Sequence, residues 1–265
     1  MKANARAFRL RESDFPSVAE FPRLMDKMRV MEPSSQPIEQ KPPKAASRIG
    51  DDWAYILPMA VFLGFTFAGG HWPGFFAASY ITKTIITGIL LIALRRHFTR
   101  ISWKYAWLGV VVGIIGLVQW VGMEKGILHL WPNYPRPSVE VTDPFKEFSS
   151  RWMLWTFLFF RLMGPTLVVP FMEEYFWRDF LWRTIIAPND FKLASVGEWD
   201  WKAFAIVTLA FSSVHIQWMT AIVWGAMIAL LLVRTRSLGA CIIAHGVTNL
   251  LLGVYVLWTG DWQFW

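Results

Sequence analysis

Long uninterrupted apolar runs follow one another along the chain after residue 52. They cover about 53–70, 74–94, 105–123, 201–216, 218–233 and 238–258. The first three are each close to the roughly 20 residues that a helix needs to cross a hydrocarbon core of about 30 Å. Continuous apolar runs, rather than amphipathic stripes, are typical of membrane spans. The pattern therefore predicts an all-α, polytopic membrane helix bundle.

A further stretch at 151–186 is apolar but carries several interruptions. Arg161, the pair Gly164-Pro165 and Pro170 lie within it, together with charged residues at 173–179. As one helix it would be roughly 54 Å long at about 1.5 Å per residue, which is too long for one straight crossing. We expect a helix, a break near Gly164-Pro165, and a second helix that tilts or re-enters. The chain would then have seven or eight transmembrane helices.

Residues 1–50 differ from the rest of the chain because they contain no apolar run. They mix both signs of charge with scattered prolines, a composition typical of flexible segments. A short amphipathic piece on the membrane surface is an open alternative for 21–31. The sequence thus predicts a flexible cytoplasmic tail at 1–50 and a membrane domain at 51–265.

The distribution of lysine and arginine predicts the orientation. The net charge is +7, and the link at 95–104 alone carries four cationic residues, while the link at 234–237 carries two. Short cytoplasmic links are enriched in such residues, so both links and the N-terminus should be cytoplasmic. The tail after Trp258 carries only Asp261 and should lie outside, provided that 151–186 makes one net crossing. This topology explains the charge without a nucleic-acid partner, and we expect none.

Ionisable side chains within the apolar runs are concentrated in the second half of the chain. Such a side chain costs about 2.5–3.5 kcal/mol at the centre of a transmembrane helix, so each one needs an explanation. The candidate site residues are Glu173, Glu174, Arg178, His215, His245 and Asn249. Arg178 follows Glu174 by four residues, the spacing of an intrahelical ion pair, which leaves Glu173 free to face elsewhere.

The two histidines strengthen this interpretation. A single histidine in a helix is more often structural than functional. Lys83 in the second run is simplest as a lysine that faces the bundle interior or snorkels to the membrane surface. His245, however, is followed one turn later by Asn249 on the same helix face. Two acids, two histidines and an asparagine in three apolar stretches would be a costly way to pack helices. We therefore interpret the set as a functional site, to which Lys83 is an open candidate as a polar partner.

Three motifs in this region resemble those of the CAAX protease and bacteriocin-processing (CPBP) family. EEYFWR at 173–178 matches its EExxxR motif, Phe211 to His215 matches FxxxH, and His245 to Asn249 matches HxxxN. They occur in the family's order, and the resemblance covers roughly 150–258, the predicted catalytic core. The chain looks most like the bacterial CAAX prenyl protease-related subgroup. Many members have glycine after the motif arginine, whereas this chain has Asp179. The difference bears on the local helix packing rather than on the chemistry.

The resemblance implies an intramembrane endopeptidase. Glu173 with His215 would activate a water, His245 and Asn249 would donate hydrogen bonds to the oxyanion, and Glu174 with Arg178 would orient the site. The implied substrate is a membrane protein or a lipidated peptide in the bilayer, and the implied location is a bacterial inner membrane.

The motifs leave the use of a metal open. Glu173, His215 and His245 supply the donor types of a zinc site with an open fourth position. The HExxH motif of many zinc proteases is absent. No cofactor is therefore certain, and a divalent metal such as zinc is the candidate.

Two other functions compete with proteolysis. A proton-coupled transporter could use buried Glu, His and Arg side chains as a relay, although the sequence shows no inverted repeat. A catalytically silent relative could act as an immunity or scaffold protein, although every motif residue is present. A protease assay separates the first function from both.

Overall fold

The computed structural model describes residues 49–137 and 143–265, and these residues are helical with no β-strand. The predicted tail and its amphipathic alternative lie almost entirely outside the described residues. The helices of more than ten residues are α1 Ile49–His71, α2 Phe76–Ala93, α3 Ala106–Leu130, α4 Arg151–Ile186, α5 Trp201–Ser213, α6 Trp218–Thr235 and α7 Leu238–Thr259. Single helical turns at Pro73–Phe75, Pro144–Glu147, Phe191–Leu193 and Trp262–Phe264 lie between or after them.

The prediction of an all-α polytopic bundle is confirmed. Six of these helices are long and apolar enough to cross a membrane, and α5 is a shorter apolar helix of 13 residues. The six candidate spans and α5 together make seven helices, the lower of the two predicted numbers of transmembrane helices. The count stays at seven because 151–186 forms one helix rather than two.

The predicted break near Gly164-Pro165 is wrong. Helix α4 continues for 36 residues through two π-helical segments, Gly164–Val168 and Glu174–Leu181. Pro170 has no N–H to donate, and in a regular α-helix its ring would collide with the carbonyl four residues earlier. A π turn shifts the hydrogen bonds to a spacing of five residues, as in the bond from the Val169 N–H to the Gly164 carbonyl. The wider turn therefore accommodates the proline without ending the helix.

Helices α3 and α7 pack closely because three glycines of α3 face α7. A Cβ atom at Gly113 would lie 2.7 Å from the Ala244 carbonyl oxygen, and one at Gly116 would lie 2.5 Å from the Thr248 hydroxyl. Small residues allow such backbone approach between helices in membranes. The Thr248 hydroxyl donates to the Gly113 carbonyl at 3.0 Å. Because contact positions increase together along both helices, α3 and α7 run parallel.

The two ends of the bundle carry different links. The Ser237 hydroxyl donates to the Ser102 carbonyl at 2.6 Å, so the links before α3 and before α7 lie at one end, here called the basic end. At the opposite end, Lys125 of α3 pairs with Asp261 at 3.0 Å. This relative arrangement of links and tail is the one that loop charge predicts. The assignment of the basic end to the cytoplasm stays a prediction.

Asp179, which departs from the family pattern, is buried near the basic end with a full set of partners. Its carboxylate accepts from the Tyr55 hydroxyl at 3.0 Å and pairs with Arg183 one turn later. Arg183 also donates to the Ala194 carbonyl at 2.8 Å. An aspartate at this position is therefore accommodated by direct partners on α1 and α4, and Arg183 extends the network to the segment before α5.

Candidate active site

A cavity of about 210 Å³ lies between helices α2 to α7. Glu173, His215, His245 and Asn249 all line it, although they come from three separate stretches of the sequence. Ionisable side chains that line a cavity among membrane helices are typical of functional sites, because polar groups at that depth need partners or water. The structure thus brings these four predicted site residues to one cavity.

Glu173 contributes a carboxylate oxygen with no protein partner. The side chain is buried, and no hydrogen bond to its Oε2 atom is found in the described part of the chain. The residue belongs to a row on α4 in which Arg161, Pro165, Val169 and Glu173 all line the cavity at intervals of four. A buried carboxylate oxygen without a hydrogen-bond partner lowers the stability of the folded protein, so stability alone does not explain its presence here.

Glu174 points away from Glu173 and holds His245. Its Oε1 atom lies 2.8 Å from Nδ1 of His245, and its Oε2 atom lies 3.4 Å from Nε of Arg178. The second distance is within ion-pair range but lacks hydrogen-bond geometry. The predicted Glu174–Arg178 pair is therefore present. No local sequence pattern indicates the Glu174–His245 contact, which joins residues 71 positions apart.

Arg178 is fully enclosed by aromatic rings and the glutamate. Its guanidinium lies 4.5 Å from the ring centre of Phe211 and 5.8 Å from that of Trp224. The ring of Trp224 also meets His245 edge to face at 4.7 Å. Cation–π contacts of this kind partly offset the loss of hydration of a buried guanidinium.

His215 lies in the turn after α5 rather than inside a membrane-spanning helix, because α5 ends at Ser213. The predicted span to residue 216 was therefore too long. Nδ1 of His215 lies 2.7 Å from the Phe211 carbonyl oxygen, and the His215 N–H donates to the Ser212 carbonyl at 3.1 Å. The last carbonyls of a helix have no partner within the helix. The FxxxH spacing thus lets the histidine ring bind one of them.

Asn249 meets α4 at its first π segment. The Asn249 amide donates to the Pro165 carbonyl at 2.9 Å. In the π pattern that carbonyl would pair with the N–H five residues later, but that residue is Pro170, which has none. The side-chain amide supplies the missing donor, and its second N–H remains available. Gly246 permits the approach, since a Cβ atom there would lie 2.9 Å from the Thr166 carbonyl oxygen.

The predicted zinc ligands do not form a metal site. Within 49–137 and 143–265, no three His, Cys, Asp or Glu side chains are grouped so that they could hold a metal ion. A catalytic zinc needs three protein ligands. Glu173, His215 and His245 share a cavity but do not fit this requirement, and we derive no chemical step through a metal.

Other residues of the cavity were missed by the sequence analysis. Arg161, Tyr80, Gln217 and Trp265 also line it. Twelve residues of a regular α-helix would leave Arg161 about 120° around the helix from Glu173, so the spacing alone did not indicate a shared cavity. Lys83 is not among the lining residues, and its ammonium group donates to the Thr66 hydroxyl at 2.9 Å. The interior-facing interpretation of Lys83 is therefore favoured.

Comparison with known proteins supports the family inferred from the motifs. Residues 152–251 match the family described as type II CAAX prenyl endopeptidase Rce1-like. No curated protein and no solved structure matches the chain. The matched segment runs from the start of α4 into α7 and contains all three motifs. The family implies an integral membrane endopeptidase of the CAAX type, with membrane-associated peptide substrates. The resemblance is thus confirmed for residues 152–251, the part of this chain that matches the type II CAAX prenyl endopeptidase family.

Proposed function

We propose that this protein hydrolyses peptide bonds of membrane proteins or lipidated peptides with a water activated by Glu173 and His215. The observation that supports this most is the buried, unpartnered Oε2 atom of Glu173 on a cavity shared with His215, His245 and Asn249. A carboxylate held without a protein partner suits a general base, because its lone pairs remain available to a water.

The hydrogen bond of His215 determines what its ring offers to the cavity. A backbone carbonyl can only accept, so Nδ1 of His215 carries a proton and donates it to the Phe211 carbonyl. In the neutral ring Nε2 is then an acceptor. A water between this nitrogen and the Glu173 carboxylate would be oriented by both. As its oxygen attacks the substrate carbonyl, its proton passes to Glu173, which later gives that proton to the leaving amine.

His245 and Asn249 would stabilise the negative charge that develops on the carbonyl oxygen. The Glu174 carboxylate accepts from Nδ1–H of His245 and also lies beside Arg178, so it would balance the charge of an imidazole that carries a second proton on Nε2. In that state Nδ1–H of His245 donates to Glu174, and Nε2–H can donate to the oxyanion. The second N–H of Asn249 would be the other donor. Preorganised donors of this kind typically contribute about 10²–10³ in rate.

Glu174 and Arg178 would act through His245. Glu174 fixes the orientation of the imidazole through the contact to Nδ1, and Arg178 balances the charge of Glu174. Neither would need to touch the substrate. We further propose that the protein lies in a bacterial inner membrane with its basic end in the cytoplasm, as the charge of the links indicates.

The test is a comparison of membrane-protein termini in cells with the wild-type chain and with Glu173→Gln. The substitution keeps the shape of the side chain but removes the base. We expect a set of new termini that disappears in Glu173→Gln and persists in Glu147→Gln, an exposed control outside the cavity. Identical termini in all three strains would contradict proteolysis and leave the transporter and scaffold functions.

A further inference from the structure

Arg161 lies on the cavity wall at a distance from the proposed catalytic residues. Its guanidinium carbon lies 4.6 Å from the ring centre of Tyr80, 5.6 Å from that of Trp265 and 5.8 Å from that of Phe76. It is half-buried and lines the same cavity as Glu173. Aromatic rings hold the cation in place without neutralising its charge.

The charge of Arg161 is not balanced within the described part of the chain. Other arginines in the bundle have carboxylates, since Arg178 pairs with Glu174 and Arg183 pairs with Asp179. Arg161 forms no ion pair with a described residue, and a second cation, the Lys83 ammonium, lies 4.3 Å from the same Tyr80 ring. Unbalanced positive charge inside a membrane domain is costly and typically marks a functional site.

We propose that Arg161 determines substrate specificity by binding a carboxylate of the peptide whose bond is cleaved at Glu173. This inference rests on the proposed function and adds a chemical requirement for its substrate. Three aromatic rings lie within 6 Å of the guanidinium carbon, and the planar group has five N–H donors, enough to donate two parallel hydrogen bonds to a carboxylate in addition to a contact with the Tyr80 hydroxyl. Arg161 and Glu173 line the same cavity, so a peptide held at Glu173 can present a carboxylate to Arg161.

The spacing on α4 predicts where the carboxylate stands in the substrate. Arg161 and Glu173 are twelve residues apart on α4, a separation of at most roughly 18 Å along the helix axis, because the segment Gly164–Val168 between them is π-helical. An extended peptide covers about 3.3–3.6 Å per residue, so this separation corresponds to roughly five residues. The carboxylate can come from an Asp or Glu side chain or from a chain terminus at about that distance from the cleaved bond.

The experiment uses dye-labelled, nine-residue apolar peptides with one Asp placed successively along the chain, each paired with an Asn version. Binding is measured to the full chain carrying Glu173→Gln in nanodiscs of zwitterionic lipid, so that cleavage does not interfere. We expect at least one Asp peptide to bind roughly tenfold or more tightly than its Asn partner, because hydrogen bonds to charged groups are strong. Adding Arg161→Gln should abolish the difference, and adding Arg161→Lys should retain part of it.

A matched control is Arg151→Gln, which removes an exposed arginine from the first turn of the same helix. It should leave the Asp preference intact. Equal binding of every Asp and Asn pair would overturn the proposal. So would a phospholipid retained by Arg161, but not by Arg161→Gln, in native mass spectrometry with equal peptide affinities, because the anion would then be a lipid phosphate.

A second measurement separates this inference from proteolysis itself. The same peptides are incubated with the chain that retains Glu173, and products are identified by mass. An Asp preference in binding without any cleavage would support the anion site and count against the protease. Cleavage of Asp and Asn peptides with equal KM would overturn the anion site alone. If both hold, Arg161→Gln should raise KM for Asp peptides and leave kcat unchanged.

Discussion

Replacing Arg178 with methionine would leave the Glu174 carboxylate buried with His245 as its remaining partner. Glu174 and Arg178 are both almost inaccessible to solvent, and their charged atoms lie 3.4 Å apart. At an effective dielectric constant of about 20, two unit charges at that distance attract by about 5 kcal/mol. Removing one partner of a buried pair typically costs about 3–5 kcal/mol. We therefore expect Arg178→Met to lower stability by several kcal/mol.

The assay has to detect instability separately from lost chemistry. Membrane proteins often unfold irreversibly, so folded yield after size-exclusion chromatography and the midpoint of a thermal scan at fixed rate are the appropriate measures. Arg151→Met, on the exposed face of α4, is the matched control and should resemble the wild type.

A double substitution tests the charge argument itself. Glu174→Gln with Arg178→Met removes both charges, so its yield should exceed what the two single variants predict by addition. Arg178→Met with wild-type yield and midpoint would refute the reasoning, because the ion pair would then contribute nothing measurable. If the double variant loses as much folded yield as the two single variants together, the shape of the side chains rather than their charge determines the yield.

Three further outcomes are expected. Asn249→Ala should lower cleavage by about 100- to 1000-fold if its amide is an oxyanion donor, measured as kcat of the purified enzyme, and an unchanged kcat would exclude that role. Gly113→Leu should destabilise the α3–α7 contact by about 1–3 kcal/mol or more in thermal scans, while Gly122→Leu on α3, with nothing within 4 Å of its Cβ position, should not. Single cysteines at Ser102 and Thr259 should be labelled from opposite sides of the membrane, and labelling of both from one side would refute the topology.

The sequence was sufficient for the elements whose signals are local. Apolar runs predicted the helices, and the four-residue spacing predicted the ion pair of Glu174 with Arg178, because both follow from helix geometry. The break in α4 was predicted wrongly because a proline in a helix usually ends or kinks it, whereas here a π segment absorbs it. That outcome depends on Asn249, 84 positions away in sequence, and no local pattern contains it.

The contacts across the cavity could also not be predicted from the sequence. Glu174 had a satisfactory partner in Arg178 by spacing alone, so nothing indicated that it also holds His245. The end of α5 at Ser213 was missed because Val214 and Ile216 continue the apolar run. Hydropathy cannot distinguish an apolar turn from an apolar helix, and here the ring of His215 binds a carbonyl at the helix end.

The spacing within each motif has a backbone explanation that is separate from chemistry. In FxxxH the histidine ring binds the Phe211 carbonyl at the end of α5. In HxxxN the asparagine binds the Pro165 carbonyl that Pro170 cannot satisfy. In both cases one polar atom stabilises the backbone and another remains available to the cavity, either Nε2 of His215 or the second N–H of Asn249. The structural bond therefore fixes the direction of the group that the proposed mechanism requires, and a substitution that removes it should disturb fold and catalysis together.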